Sequence, residues 1–156
     1  MDLAFLTEVF WKIGAGVPVT ILLVVQSLLL GFVLAVLVAL MRLSDNRLVS
    51  GAAYGFVYVF RSTPLLVQIF LIYYGSGQFR PFFESLGLWV FFRDAWFCAV
   101  LALTLNTGAY TSEIIRGGIQ SVPHGQLEAG RAVGMTGLQL FRRLTFPIAM
   151  RQALPA

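Results

Sequence analysis

The stretch of sequence that decides the fold is Val17–Met41, VPVTILLVVQSLLLGFVLAVLVALM. It contains 25 residues and no charged side chain, whereas about 20 apolar residues are enough to cross a bilayer as a helix. A helix of this length in a soluble protein would carry a polar face. The stretch therefore predicts a membrane span that begins near Pro18 and ends at Arg42.

The composition of the whole chain agrees with a membrane location. Hydrophobic residues make up 58% of the 156 residues and charged residues 12%, whereas soluble domains carry about 25% charged residues. The net charge of +4 does not indicate nucleic-acid binding, because the basic residues cluster beside apolar runs, as expected from the positive-inside rule. We expect residues 1–156 to form one helical membrane domain that contacts no nucleic acid.

Two further apolar segments follow the first. Residues 48–75 are interrupted by Arg61-Ser62-Thr63-Pro64, and proline disfavours helical geometry in the residue before it. This segment is either one long kinked helix or an interfacial helix followed by a span that starts at Pro64; we favour the second. Residues 75–94 are expected to form an external loop with a short amphipathic stretch, and residues 95–112 a third span.

The arginines predict how the chain is oriented. Arg42 and Arg47 flank the first polar link, while the N-terminus is nearly neutral, so the link is expected in the cytoplasm and the N-terminus outside. Three passes then place Ser121–Pro147, SVPHGQLEAGRAVGMTGLQLFRRLTFP, in the cytoplasm.

Ser121–Pro147 is predicted to be a short helical hairpin. Ser121 is expected to cap its first helix, with Pro123 in the first turn. Gly134 is expected to end this helix, and Thr136 to cap the second.

The first helix of this hairpin carries a pattern suited to docking. Gly130 and Gly134 are four residues apart and would share one face, which lets another surface approach closely. Glu128 and Arg131 are three apart and can pair or present charge to a partner. The alternative is an ordinary solvated helix with no partner.

The segment resembles the EAA loop of ABC importer permeases, which docks onto the ATP-hydrolysing subunit. Glu128-Ala129, Gly134 and Pro147 fit that pattern. Gly130 and Phe146 depart from it, since alanine and leucine are usual there. Three segments further resemble the polar amino acid permeases, in the histidine, lysine/arginine and opine branch: RSTPLLVQ at 61–68, LTLNTGAYTSEI at 103–114 and SVPHG at 121–125.

This resemblance implies an all-α, polytopic membrane protein with the MetI-like ABC permease fold. About three of the usual five spans would be present, together with the cytoplasmic hairpin. The chain would be a permease subunit in a bacterial inner membrane, importing amino acids such as histidine, arginine, lysine or opines. The residues expected to couple it to the ATPase are Glu128, Ala129, Gly130, Arg131, Gly134 and Pro147.

The resemblance also implies partners. These are ABC ATPase subunits, a second permease subunit that is identical or different, and a periplasmic solute-binding protein. ATP would be used by the ATPase, so no cofactor is expected in this chain. Because such permeases continue through two more spans and this chain ends at Leu154-Pro155-Ala156, the alternative is a truncated, non-transporting subunit that only docks the ATPase.

Three polar residues are candidates for the solute path. Glu113 ends an apolar segment and could face a cationic solute, or it could pair with Arg116. Gln68 and Asn106 could bind a polar solute or hydrogen-bond between helices.

The sequence argues against an enzyme. It contains no G-x-x-x-x-G-K-[ST] element for binding ATP phosphates. His124 is the one histidine of the sequence and Cys98 the one cysteine, and they lie in different regions, so we expect no metal site.

Overall fold

The computed structural model describes residues 3–154, with side chains from residue 7 onward. This part of the chain is built of helices and turns, without a β-strand. The helices are α1 (Leu3–Arg42), α2 (Arg47–Ser62), α3 (Leu65–Gln78), α4 (Arg80–Ser85), α5 (Trp89–Phe92), α6 (Ala95–Gln120), α7 (His124–Ala132), α8 (Gly137–Leu140) and α9 (Phe146–Ala153). A π-helical turn, Phe141–Thr145, joins α8 to α9.

The first helix begins much earlier than predicted. Pro18 lies inside the 40-residue α1 and not in its first turn. The missing proline N–H falls opposite the carbonyl of Gly14, and neighbouring groups can compensate for such a loss in membrane helices. Two residues further along the helix, the Thr20 hydroxyl donates to the Gly16 carbonyl at 3.1 Å. The predicted end of the helix at Arg42 is confirmed.

The second apolar segment forms two helices, α2 and α3, bent by 104° at the Thr63–Pro64 break. Asn46 caps α2 by accepting a hydrogen bond from the Leu48 N–H. At the break, Thr63 has extended backbone angles, which the following proline favours. Of the two alternatives for residues 48–75, the structure therefore has separate helices and not one kinked helix.

The predicted external loop is more helical than expected. Helix α3 continues past Gly75 to Gln78, and the short helices α4 and α5 fill most of the remaining connection. Asp94 then caps α6 by accepting hydrogen bonds from the N–H groups of Trp96 and Phe97.

Close packing between α1 and α6 forms the centre of the fold. A Cβ on Gly31 would lie 2.8 Å from the Cβ of Thr107, and a Cβ on Gly108 would lie 2.7 Å from Leu34 Cδ2. Small residues let membrane helices approach this closely. Helix α2 covers α1 nearby, through a buried apolar cluster of Val38, Ala53 and Val57.

Judged by length and apolarity, one helix of the described chain, α1, can cross a membrane by itself. The bent pair α2 and α3 adds a second only if the two helices count as one broken span. Helix α6 covers the predicted third segment as one continuous helix of 26 residues. It does not reach the apolarity of α1, because threonines and Asn106 interrupt it; the three-span count stays a prediction.

Candidate functional site: a docking hairpin and a polar helix junction

The predicted hairpin is present, but its first helix is capped differently. Helix α7 starts at His124, with Pro123 as the residue before it. Ser121 instead ends α6, and its hydroxyl donates to the Gly118 carbonyl at 2.7 Å. The prediction that Ser121 caps the hairpin was wrong because α6 extends beyond its apolar segment and takes in residues 113–120.

The turn of the hairpin follows the sequence closely. Helix α7 ends at Ala132, and Gly134 has a φ of +80°, a left-handed conformation that favours glycine. Thr136 caps the next helix through a capping box, in which its hydroxyl accepts from the Gln139 N–H while the Gln139 side chain accepts from the Thr136 N–H. Both predicted signals are confirmed.

The two glycines of the hairpin do not share a helix face. Gly134 lies in the turn, whereas Gly130 is buried in α7. A Cβ on Gly130 would lie 2.7 Å from Leu140 Cδ2 and 3.0 Å from Leu144 Cδ1. The prediction of a shared glycine face was therefore wrong: Gly130 lets the second helix of the same hairpin pack against α7.

The outward surface of the hairpin is formed by other residues of the predicted set. Glu128, Ala129 and Arg131 are all exposed. In the part of the chain with described side chains, no ion pair joins Glu128 to Arg131. Both charges are exposed on α7, and their presentation to a partner stays a prediction.

Pro147 lies inside helix α9, which begins at Phe146 and continues to Ala153; its role in coupling to the ATPase stays a prediction. Proline has no N–H and its ring clashes with the carbonyl four residues earlier. The π-helical turn at Phe141–Thr145 lies directly before it, and such turns occur often at functional sites. Helix α8, the π-helical turn and α9 follow one another without a break from Gly137 to Ala153. We call this segment the rod; it runs from the hairpin to α6, which α9 contacts.

This rod meets α6 at a very close contact. Gly118 is buried, and a Cβ on it would lie 2.8 Å from the Ala149 carbonyl oxygen. The neighbouring Gly117 is exposed, with open space around it. No pattern in the sequence points to Gly118 or Ala149, because their role depends on a contact between helices that are distant in sequence.

Gln68 and Asn106 are joined across two helices. The Asn106 amide donates to Gln68 Oε1 at 3.1 Å, which ties α6 to α3. The buried Gln68 also donates to the Phe60 carbonyl at 2.7 Å and to the Thr63 carbonyl at 3.0 Å, across the break between α2 and α3. This geometry agrees with the alternative in which Gln68 and Asn106 hydrogen-bond between helices. Contact of these residues with the solute stays a prediction.

Glu113 lies apart from that pair, in an ion cluster with two arginines. Its Oε2 is 2.7 Å from an Nη of Arg116, and its Oε1 is 3.2 Å from Nε of Arg42. The side chain of Glu113 is only 15% exposed. The pairing with Arg116, the alternative that the sequence left open, is therefore observed, together with an unpredicted link to the end of α1.

A cleft of about 300 Å³ opens beside this cluster, between α1, α2 and α6. Guanidinium groups lie over two of its aromatic rings, with Arg42 4.9 Å from the centre of the Tyr54 ring and Arg61 5.3 Å from that of Tyr110. We call it the Arg61 cleft; the charged and aromatic side chains that line it are Arg42, Arg61, Tyr54, Tyr58, Tyr110 and Glu113. The sequence contained a signal for this cleft, because the spacing of residues 54, 58 and 61 places their side chains on one face of α2.

Over residues 10–156 the chain matches the family described as binding-protein-dependent transport system inner membrane component. It belongs to that family. A solved structure titled as an amino acid ABC transporter with histidines matches 99% of this chain and 69% of its own, with a TM-score of 0.79 and 35% identity. This confirms the predicted all-α, MetI-like permease fold.

Among curated relatives, the chain is 65% identical over 156 residues to the nopaline transport system permease protein NocM of Agrobacterium fabrum. It is 51% identical over 154 residues to the octopine transport system permease protein OccM of Rhizobium meliloti. It is 44% identical over 152 residues to the histidine/lysine/arginine/ornithine transport system permease protein HisM of Salmonella typhimurium. These matches cover 96–100% of the chain, which spans 62–65% of the length of those relatives.

Proposed function

We propose that this chain is a permease subunit of an ATP-binding-cassette importer for amino acids or opines. In this proposal, ATP hydrolysis in a partner subunit drives transport, and the chain itself is not an enzyme. The observation that carries the proposal is the hairpin. Its outer surface presents Glu128, Ala129 and Arg131, its two arms pack on each other, and the α9 helix that follows packs on α6.

The hairpin is suited to transmitting movement because it is held stiffly at both ends. Gly130 and Leu140 are both buried between the two arms. At the other end, the Gly118–Ala149 contact leaves no room for α9 to move toward α6 independently. A push on the outer surface of α7 would therefore reach the helix that carries Asn106 and Glu113.

The proposed assembly contains ABC ATPase subunits, a second permease subunit, identical or different, and a periplasmic solute-binding protein. In the bilayer, the N-terminus would face outward and the hairpin the cytoplasm. This orientation places Arg42, Arg116 and Arg131 on the cytoplasmic side, in agreement with the positive-inside rule. Names and descriptions of the relatives support a transported solute of the amino acid or opine type.

The docking part of this proposal is tested by capturing the ATPase on the tagged chain from a membrane extract. Glu128→Arg reverses an exposed charge, and Ala129→Trp adds bulk to the outer surface of α7. We expect either change to lower capture at least about tenfold, the size of losing one well-placed charged contact.

Glu84→Arg is the matched control, because Glu84 is an exposed carboxylate on α4, far along the chain from the hairpin. It should leave capture unchanged. Equal capture by native and hairpin variants would show that the ATPase docks elsewhere. Transport is then tested in proteoliposomes with all partners present, and uptake that depends on ATP and on this chain is expected.

A further inference from the structure

The Arg61 cleft has a charge balance that suits an anionic group. We propose that it binds a carboxylate of the transported solute, with Arg61 as the residue that receives it. The inference rests on the proposed function only in taking the bound molecule to be the transported one; binding itself is a property of the cleft.

The one acidic side chain of the cleft, Glu113, is already neutralised. Its Oε1 accepts from Nε of Arg42 at 3.2 Å and from Nε of Arg116 at 3.0 Å. Its Oε2 accepts from an Nη of Arg116 at 2.7 Å. A cationic solute would have to displace two guanidinium groups to reach this carboxylate.

Arg61 is in the opposite situation. Its guanidinium lies over the Tyr110 ring, and no carboxylate pairs with it in the part of the chain whose side chains are described. It lies in the last turn of α2, where a cation also suits the helix dipole. The guanidinium donors not directed at the ring are therefore available to a carboxylate, which matches their planar, two-point geometry.

The shape of the cleft favours a small solute over a lipid headgroup. Residues of three helices line it, and the Arg42–Glu113 pair joins α1 to α6 at one side. Its volume of about 300 Å³ is at the small end of the range for small-molecule sites. Aromatic walls such as Tyr54 and Tyr58 would contact the carbon chain of the solute and leave its carboxylate to Arg61.

Equilibrium binding to the purified full chain, in nanodiscs of neutral phosphatidylcholine, tests the inference. The probes are arginine, its decarboxylated form agmatine, and octopine, an arginine conjugate with a second carboxylate. We expect the native chain to bind arginine and octopine at least about tenfold more tightly than agmatine. Arg61→Gln should remove this preference, and Arg61→Lys should restore part of it, since lysine keeps the charge without the planar fork.

Arg47→Gln is the matched control, because Arg47 is an exposed arginine at the other end of α2 and does not line the cleft. It should leave all three affinities unchanged. Thermal denaturation of each variant separates misfolding from loss of the site, and agmatine binding that survives Arg61→Gln shows that the cleft is intact.

Several results would overturn the inference. They are equal binding of arginine and agmatine by the native chain, equal weakening of all probes by Arg61→Gln, and no binding of any probe. In parallel nanodiscs that contain phosphatidylglycerol, Arg61-dependent binding of this lipid without solute binding would make the cleft a lipid site instead. The binding assay contains no ATPase, so its result does not depend on transport. If the chain binds the solutes but shows no uptake in proteoliposomes, the proposed function is contradicted and this inference is not. If uptake occurs without binding in the cleft, this inference is contradicted and the proposed function is not.

Discussion

Gly118 of α6 and Ala149 of α9 lie in backbone contact, so that a Cβ on Gly118 would be 2.8 Å from the Ala149 carbonyl oxygen. This contact joins the helix that carries Glu113 to the rod that continues from the hairpin for which we propose docking. Backbone cannot move aside as the end of a flexible side chain can. The contact is therefore a rigid link between the rod that follows the proposed docking surface and the membrane helix α6.

Gly118→Ala is expected to weaken this link. The added methyl forces α9 away from α6, and overpacking of this kind costs about 1–3 kcal/mol. We expect a lower denaturation temperature and a loss of solute-stimulated ATP hydrolysis in the reconstituted assembly. Gly117→Ala, one residue away in open space, should behave like the native chain. Equal behaviour of the two variants would show that α9 does not transmit movement through Gly118.

Gly134→Ala is expected to destabilise the hairpin turn. Its φ of +80° is a left-handed conformation that costs a residue with a Cβ about 1–2 kcal/mol. Thermal denaturation should show this loss, together with weaker capture of the ATPase. Gly137→Ala, in the first turn of α8 with open space around it, is the control and should be neutral or slightly stabilising. A neutral Gly134→Ala would mean that the turn relaxes without cost.

The Gln68–Asn106 hydrogen bond should be measurable as a coupling energy. In a double-mutant cycle of Gln68→Leu and Asn106→Leu, we expect a coupling near the average for membrane proteins, about 0.6 kcal/mol. Gln68→Leu alone should cost more than Asn106→Leu alone, because Gln68 also bonds to the Phe60 and Thr63 carbonyls. Unfolding in mixed micelles would provide the measurement. Strictly additive effects would contradict a joining role.

Glu113→Gln is expected to destabilise the junction of α1 and α6. The change leaves Arg42 and Arg116 without a carboxylate, and charged hydrogen bonds of this kind contribute about 1.5–3 kcal/mol each. Glu84→Gln breaks the exposed Arg80–Glu84 pair, which should contribute at most about 1 kcal/mol.

Solute uptake by the same Glu113→Gln variant separates two roles. A joining role predicts that uptake of all solutes falls together. A selective fall for cationic solutes would instead support the sequence-based hypothesis that Glu113 faces the solute.

Local signals in the sequence predicted local structure well. The apolar run predicted a helix ending at Arg42, and the break at Pro64 follows from restrictions on the residue before a proline. The left-handed glycine at 134 and the capping residue Thr136 were both identified, because turns and caps depend on residues a few positions apart. The same reasoning failed at Pro18 and Ser121, where the surrounding helix overrode the local preference.

The amino-acid sequence by itself therefore determined the helical membrane class, the helix end at Arg42, the break at Pro64, and the hairpin, since these follow from apolarity and short-range hydrogen bonding. Only the tertiary structure decided what the polar and small residues contact. Arg42 and Glu113 are 71 positions apart. Similarly, nothing in the sequence around Gly118 indicates that it contacts Ala149. The physical reason is that pairing and close packing depend on which helix faces meet, and spacing along one helix specifies a face without specifying its neighbour.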